Sequence, residues 1–309
     1  MATTTRTNKA KKRSNRSDIY QTVTDTILKQ LEDGVRPWLK PWNAEHAAGR
    51  ITRPLRHNGE AYHGINILML WASAEQQGFA APLWLTFKQA QELGGHVKKG
   101  EKGSPVVYAS TFRKSEQDDN GDNVEQDIPF LKQYTVFNAE QCSDLPAHFY
   151  ELKETPSNTI ERITKADQFF AETGAEIREG GNRACYVISD DFIRMPRLET
   201  FKDAESHAAT LAHETIHWTR HSSRLDRHLG RKRWGDAGYA MEELVAELGA
   251  AFLCADLGIT PQPRDDHASY IESWLQVLKN DKRAVFAAAS MASKAADYLH
   301  SLQPDHAAV

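Results

Sequence analysis

Apolar side chains begin to recur at helical spacing just after Asp18. Ile19, Val23, Thr26, Ile27, Leu28 and Leu31 predict a first helix, which Gly34 closes. A second helix is predicted from Gly64 to about Gln77, carrying Ile65, Ile67, Leu68, Leu70 and Trp71. Thr86 has the hydroxyl of an N-cap for a short third helix, Phe87 to Leu93, stopped by Gly94 and Gly95. The runs then shorten. Val97 to Gly103 reads as a strand and turn, Pro105 to Tyr108 as the next strand, and Phe130 to Phe137 as a returning one. Between the last two, Ser115–Asp127 holds six acidic residues and Asn120-Gly121, which predicts an exposed hairpin tip. Thr155-Pro156-Ser157-Asn158 reads as a joint. After it come a helix over Ile160–Thr173, a Gly-rich turn, and short strands at Ala184–Ile188 and Asp190–Pro196. The pattern is then helical from Ala204 almost to the end, broken at Gly230–Gly238 and Gly258–Arg264. No internal repeat interrupts this order. The expectation is an α+β protein: an arm over 1–17, a small mixed α/β domain over 18–150 and a mostly helical domain over 151–309.

The length of 309 residues agrees with two domains. With 40% hydrophobic and 26% charged residues, a mainly disordered or fibrous chain is excluded. The formal charge of −4 hides an uneven distribution, basic in the first third and acidic beyond it, which implies two parts with different partners. Arg6, Lys9, Lys11, Lys12, Arg13 and Arg16 make the start a basic arm, expected to be disordered yet able to hold phosphates. That arm lacks the apolar stretch of a secretory signal. Cys142, Cys185 and Cys254 are odd in number and far apart, which suits a reducing compartment. No apolar run approaches the ~20 residues of a membrane span. A cytoplasmic protein with no membrane partner is expected.

One constellation carries chemistry. His213-Glu214-Thr215-Ile216-His217 is an H-E-x-x-H pattern within a helical stretch. Residues four apart share a helix face, so both imidazoles can reach one metal ion, and Glu214 is placed to act as a base. A third ligand is expected from the helical segment Met241–Leu248, where Glu243 and Glu247 also lie four apart. Two histidines and one glutamate leave an open position, the arrangement of a catalytic zinc site. An acidic helix can equally be a solvated face, but the agreement of helix placement and spacing favours a metal centre. Gluzincin-like proteins, which this pattern resembles, place the ligand glutamate four residues before a polar residue that braces a histidine. On that resemblance Glu243 is the ligand and Glu247 the brace, with Glu247 kept as the alternative ligand. Tyr239, His267 and Tyr270 are candidates for stabilising an oxyanion. The chemistry implied is metal-assisted hydrolysis, with a peptide as substrate because the strand Cys185–Met195 could pair with an extended chain. Arg220, Arg224, Arg227, Arg231, Lys232 and Arg233 form a basic loop that either faces DNA or pairs with nearby carboxylates.

Four of the seven tryptophans fall in the first 84 residues, interleaved with cations. Flat rings for bases and cations for phosphates are what sequence-independent single-strand binding requires. Trp38, Lys40, Trp42, Arg53, Tyr62, Lys88, Lys98, Lys99 and Lys102 are the candidate DNA contacts. Trp38 and Trp42, beside prolines and lysines, are expected to expose their rings, whereas Trp71 and Trp84 read as core.

Arg36-Pro37-Trp38 … Trp42, Tyr62-His63-Gly64-Ile65-Asn66, Trp84–Ala90, Val97–Gly103 and Val136–Gln141 together resemble the N-terminal domain of ArdC-type anti-restriction proteins of conjugative plasmids. Thr210–Thr219, Arg224–Arg227 and Tyr239–Glu247 are similar to that family's zincin-like metallopeptidase domain. His207 stands where the family pattern has an aromatic. The resemblance implies a protein that binds single-stranded DNA and protects incoming plasmid DNA from host restriction during conjugation. It also implies a site for Zn2+ or Mn2+ held by His213, His217 and Glu243, with Glu214 as base. The enzyme reading is a metal-dependent peptidase acting on DNA-bound proteins; the alternative is a single-strand-binding shield whose metal site is structural. The N-terminal part also resembles a module of plasmid DNA primases, but no primase catalytic motif follows it.

Overall fold

The computed structural model of the chain describes residues 18–38, 52–117, 123–150, 159–230, 237–260 and 268–304. The basic arm, Lys40, Trp42, the joint at 155–158, Arg231–Arg233 and His267 lie outside the described residues.

The first half opens with α1 (Ile19–Glu32), whose N-terminus is capped by the Asp18 carboxylate accepting the Tyr20 N–H at 3.0 Å. β1 (Leu55–Arg56), α2 (Ile65–Gln77), β2 (Leu83–Leu85), α3 (Phe87–Glu92) and β3 (His96–Val97) follow. Thr86 and Gln89 cap α3 reciprocally, as a threonine followed three residues later by glutamine allows. β4 (Ser104–Gln117) and β5 (Asn123–Asn138) form a long hairpin. The four-stranded sheet runs β1-β2-β5-β4, and β3 pairs with β6 (Cys142–Ser143).

The hairpin strands are longer than expected. The expected tip at Ser115–Asp127 is partly strand, because charged pairs continue the ladder: Arg113 lies 3.3 Å from Glu125 and 3.6 Å from Asp127. Asn66 pins α2 to the free edge of β4. Its amide donates to the Val107 carbonyl and accepts the Val107 N–H, each at 2.8 Å.

The second half holds α4 (Thr159–Glu172), then a three-stranded sheet of order β7-β9-β8, built from β7 (Glu176–Glu179), β8 (Cys185–Val187) and β9 (Phe192–Met195). β7 was not visible in the residue pattern. Glu-Ile-Arg-Glu is exposed throughout, so its strand state comes from backbone pairing with β9 rather than from burial of one face. Helices α5 (Ala204–Trp218), α6 (Ala237–Leu257), α7 (Ala268–Asn280) and α8 (Ala284–Ser301) complete the fold. α7 and α8 part at Asp281, whose carboxylate accepts the Arg283 N–H at 2.8 Å.

The two halves share one apolar core. Val23, Ile27, Leu31, Trp38, Ile67, Leu68 and Trp71 belong to the same buried cluster as Leu244, Phe252, Trp274, Leu278, Ala288 and Leu299. Polar ties cross the same boundary. Thr24 donates to the Lys282 carbonyl at 2.7 Å, Gly64 N–H to Ser293 Oγ at 2.8 Å, and Arg53 pairs with Asp256 at 2.7 Å. Gly64 makes its contact with φ +59, a left-handed backbone that suits glycine.

A candidate metal centre between two helices

α5 and α6 cross in close contact at Gly249. A Cβ added there would lie 2.8 Å from Ile216 Cδ1, so any side chain at this position must push Ile216 aside and the helices approach most closely with glycine. α5 starts at Asp203, whose carboxylate accepts the Ser206 N–H at 2.7 Å. From there helical spacing puts His213 and His217 on the face turned toward Glu243 of α6.

The Nε2 atoms of His213 and His217 are 3.2 Å apart. Glu243 places one oxygen 3.5 Å from His213 Nε2 and the other 3.6 Å from His217 Nε2. One donor atom from each of these residues lies within 4.8 Å of the others, and all three residues are buried. Ligands ~2.1 Å from a common ion at tetrahedral angles are about 3.4 Å apart, so the donor set fits one divalent ion.

Both imidazoles turn Nδ1 toward a carboxylate. His217 Nδ1 is 3.1 Å from Glu242 Oε1, a hydrogen bond that directs Nε2 to the centre. Arg227 holds Glu242 in turn, donating from Nε and Nη2 at 2.8 Å each and reaching the Ile216 carbonyl at 3.0 Å. His213 Nδ1 faces Glu247 Oε2 at 3.8 Å. Glu243 thus sits with the histidine Nε2 atoms, and Glu247 on the far side of His213.

Charge follows this geometry. Burial alone would lower the His217 pKa, but Glu243 and Glu242 overcome it and raise it to about 10. Burial would raise Glu242, yet hydrogen bonds from Arg227 and His217 hold it at about 2. Against its own burial, Glu243 is kept well below the ordinary carboxylate range by His217 and His213. Tyr239 titrates above the usual phenol range through burial, the Tyr270 hydroxyl 2.9 Å away and the Glu243 charge.

Glu214 projects beside β8, where its Oε2 accepts the Tyr186 N–H at 2.9 Å. Tyr186 is fixed at its other end, donating its hydroxyl to Asp191 at 2.8 Å and accepting from Arg224 at 3.1 Å. Arg224 also pairs with Asp191 and lies 3.9 Å from the Trp218 ring centre. Within the described part of the basic loop, Arg224 pairs with Asp191 and Arg227 with Glu242. His207 packs edge-on against Phe201, ring centres 5.0 Å apart.

The expected DNA contacts divide. Trp38 does not expose its ring. It is 0% exposed and packs edge-on against Trp274, because the chain leaving α1 dives into the interhelical core. Arg53 and Tyr62 are likewise buried: the Arg53 guanidinium is taken by Asp256, and burial pushes the Tyr62 phenol up to about 12. Lys88, Lys98, Lys99 and Lys102 are exposed, although Lys98 Nζ donates to the Glu140 carbonyl at 2.8 Å. Trp71 and Trp84 are core, as their surroundings in sequence suggested. The residue pattern did not single out Glu242 or Arg36 at the centre, and it left Arg227 open between facing DNA and pairing with a carboxylate. The adjacent pair Glu242-Glu243 was a usable signal, because two consecutive helix positions can serve a ligand and its neighbour's brace.

A helix with two histidines, a following helix with a glutamate and a preceding strand define a zincin-like metal-binding protein. A zincin-like metallopeptidase family matches residues 164–291, and the N-terminal domain of anti-restriction factor ArdC matches residues 17–137. The chain is similar to the metal-free crystal structure of antirestriction ArdC from plasmid R388, with 46% identity, a TM-score of 0.77, and coverage of 92% of this chain and 97% of that one. The Mn(II)-bound structure of that protein matches at 44% identity and a TM-score of 0.77, covering 94% of this chain and 99% of that one. An uncharacterized protein, y4eC of Sinorhizobium fredii, is 41% identical over 295 residues, 94% of each chain. DNA primase TraC of Escherichia coli is 39% identical over 296 residues, which are 91% of this chain and 27% of the primase. The chain belongs to the ArdC anti-restriction family. Among the described residues no helix is long and apolar enough to cross a membrane.

Proposed function

We propose that this chain is a cytoplasmic anti-restriction protein that binds single-stranded DNA entering by conjugation and cleaves protein met on that DNA by metal-dependent hydrolysis. The carrying observation is the convergence of His213 Nε2, His217 Nε2 and Glu243 beside Glu214. His213, His217 and Glu243 would hold Zn2+ or Mn2+. A bound ion of this kind polarises a carbonyl and makes water a stronger nucleophile near neutral pH. Glu214 takes the proton from the attacking water and passes it to the leaving amine. Tyr186, held by Asp191 and Arg224, keeps Glu214 oriented through its backbone N–H. β8 lies at the edge of its sheet, where an extended peptide could add as a strand. Tyr239, hydrogen-bonded to Tyr270, can donate toward a developing oxyanion.

DNA binding is assigned to the exposed cations Lys88, Lys98, Lys99 and Lys102 and to an aromatic face of the hairpin. Cross-strand register sets Tyr108 opposite Lys132, on one face with Phe130 and Tyr134. Tyr108 is 52% and Tyr134 43% exposed, and Lys132 lies 5.7 Å from the Tyr134 ring centre. Exposed rings next to a cation suit base stacking. The same exposed surface supports the second reading, a DNA shield with a structural metal site.

The deciding experiment incubates metal-loaded chain with candidate proteins, with and without single-stranded DNA, beside Glu214→Gln. Cleavage lost on chelation and in Glu214→Gln, with metal binding retained, is the expected result. Absence of cleavage together with salt-sensitive DNA binding by both proteins would replace the peptidase with the shield.

A further inference from the structure

The geometry points to Trp38 as a positioning residue of the metal centre, acting on His213 through Glu247 from the opposite half of the chain. The inference rests on His213, His217 and Glu243 being metal ligands. Trp38 Nε1 donates to Glu247 Oε1 at 3.3 Å, and Arg36 Nη1 lies 3.8 Å from the same oxygen. The other oxygen, Oε2, faces His213 Nδ1 at 3.8 Å. An indole N–H can only donate, so it suits an ionised carboxylate, and a carboxylate only 3% exposed needs such compensation.

The indole has little freedom to turn away. Trp274 meets its edge with ring centres 6.2 Å apart and itself stacks on Tyr270 at 6.2 Å. The two ligating histidines are thus supported differently. His217 is braced by Glu242 and Arg227, both from the second half. His213 faces a carboxylate held by Arg36 and Trp38, which directly follow α1. His213 and Glu247 stand at ion-pair rather than hydrogen-bond distance, so losing this support should weaken affinity by about the lower end of the 10- to 100-fold that follows loss of a hydrogen-bond partner behind a metal-binding histidine. The orientation of His213 therefore depends on the half of the chain assigned here to DNA.

The test measures Mn(II) affinity by the electron paramagnetic resonance of free Mn(II), and the visible spectrum of the Co(II)-loaded full-length chain. Trp38→Phe removes the donor and keeps most of the apolar fill. Trp274→Phe trims the neighbouring ring, whose Nε1 has no hydrogen-bond partner among the described residues. Trp38→Phe should bind Mn(II) about tenfold more weakly and shift the Co(II) bands, while Trp274→Phe, which keeps the Trp38 donor, should do both to a clearly smaller extent. In a Glu247→Ala background Trp38→Phe should add no further loss. Equal effects of the two ring variants, an unchanged affinity in Trp38→Phe, or additive losses with Glu247→Ala would overturn the inference. If Trp38→Phe fails to fold, Arg36→Gln carries the same test, with weaker binding expected and unchanged binding overturning it. A wild-type chain that takes up no ion would overturn the ligand assignment itself, a result distinct from the others.

Discussion

Arg227 donates to Glu242, to the Ile216 carbonyl and to Thr219 from a position 7% exposed. Arg227→Ala would leave the buried Glu242 carboxylate with only His217 as a compensating cation. A loss of about 3 kcal/mol, the low end for breaking a buried pair, is expected, read from denaturant unfolding of the metal-free chain. Asp191 is held below the ordinary carboxylate range chiefly by its hydrogen bond with Arg224, set against partial burial. A depressed folded pKa gives stability that is present above the unfolded value of ~3.9 and disappears as pH falls through the lower folded value. Asp191 is 38% exposed, so the contribution is at most about 1 kcal/mol. Asp191→Asn should melt below wild type at pH 7, and the two midpoints should converge as the pH falls below the ordinary carboxylate range. The histidines and Glu214 were legible from spacing alone, since a five-residue pattern on a helix fixes their relative placement. Arg227 was legible only as a charge. Which carboxylate it meets depends on how the loop returns from α5 to α6.

At the scale of elements, the site depends on how closely α5 and α6 approach. Ala at 249 would gain up to ~1 kcal/mol of helix propensity, but its Cβ meets three Ile216 side-chain atoms at 2.8–3.0 Å. Overpacking costs about 1–3 kcal/mol. Gly249→Ala should therefore lower stability on the order of 1 kcal/mol and weaken Mn(II) binding, measurable by thermal melts with and without the ion. Helices α1, α2 and α3 followed from apolar period and capping residues. β7 and the outer hairpin did not, because their strand state is decided by the neighbouring strand and not by one buried face.

For the whole molecule, the shared core means that neither half presents a finished surface. Trp38, Trp71 and Ile27 cover apolar faces of α6, α7 and α8 that would otherwise meet water. One cooperative unfolding transition is expected by calorimetry of the full chain, with coincident far-UV and tryptophan signals. Two separated transitions would show that the halves are stable independently. The charge, basic in the first third and acidic beyond it, suggested two parts with different partners; two family models match successive stretches, residues 17–137 and 164–291. The burial of Trp38, Arg53 and Tyr62 shows the limit of reading exposure from neighbours in sequence. Prolines and lysines flank Trp38, yet Trp274, distant along the chain, covers it.

The sequence by itself determined the local features: the helix that carries His213, Glu214 and His217, the capped α3, and the glutamate-bearing helix that follows. Those depend on spacing and capping within a few residues, where the chain's own period settles which side chains share a face. Only the tertiary structure decided that Glu243 meets both Nε2 atoms, that Glu242 and Glu247 stand behind the histidines, and that Trp38 reaches Glu247 from the other half. Contacts between residues some 200 positions apart arise from the packing of whole helices, which no local pattern encodes.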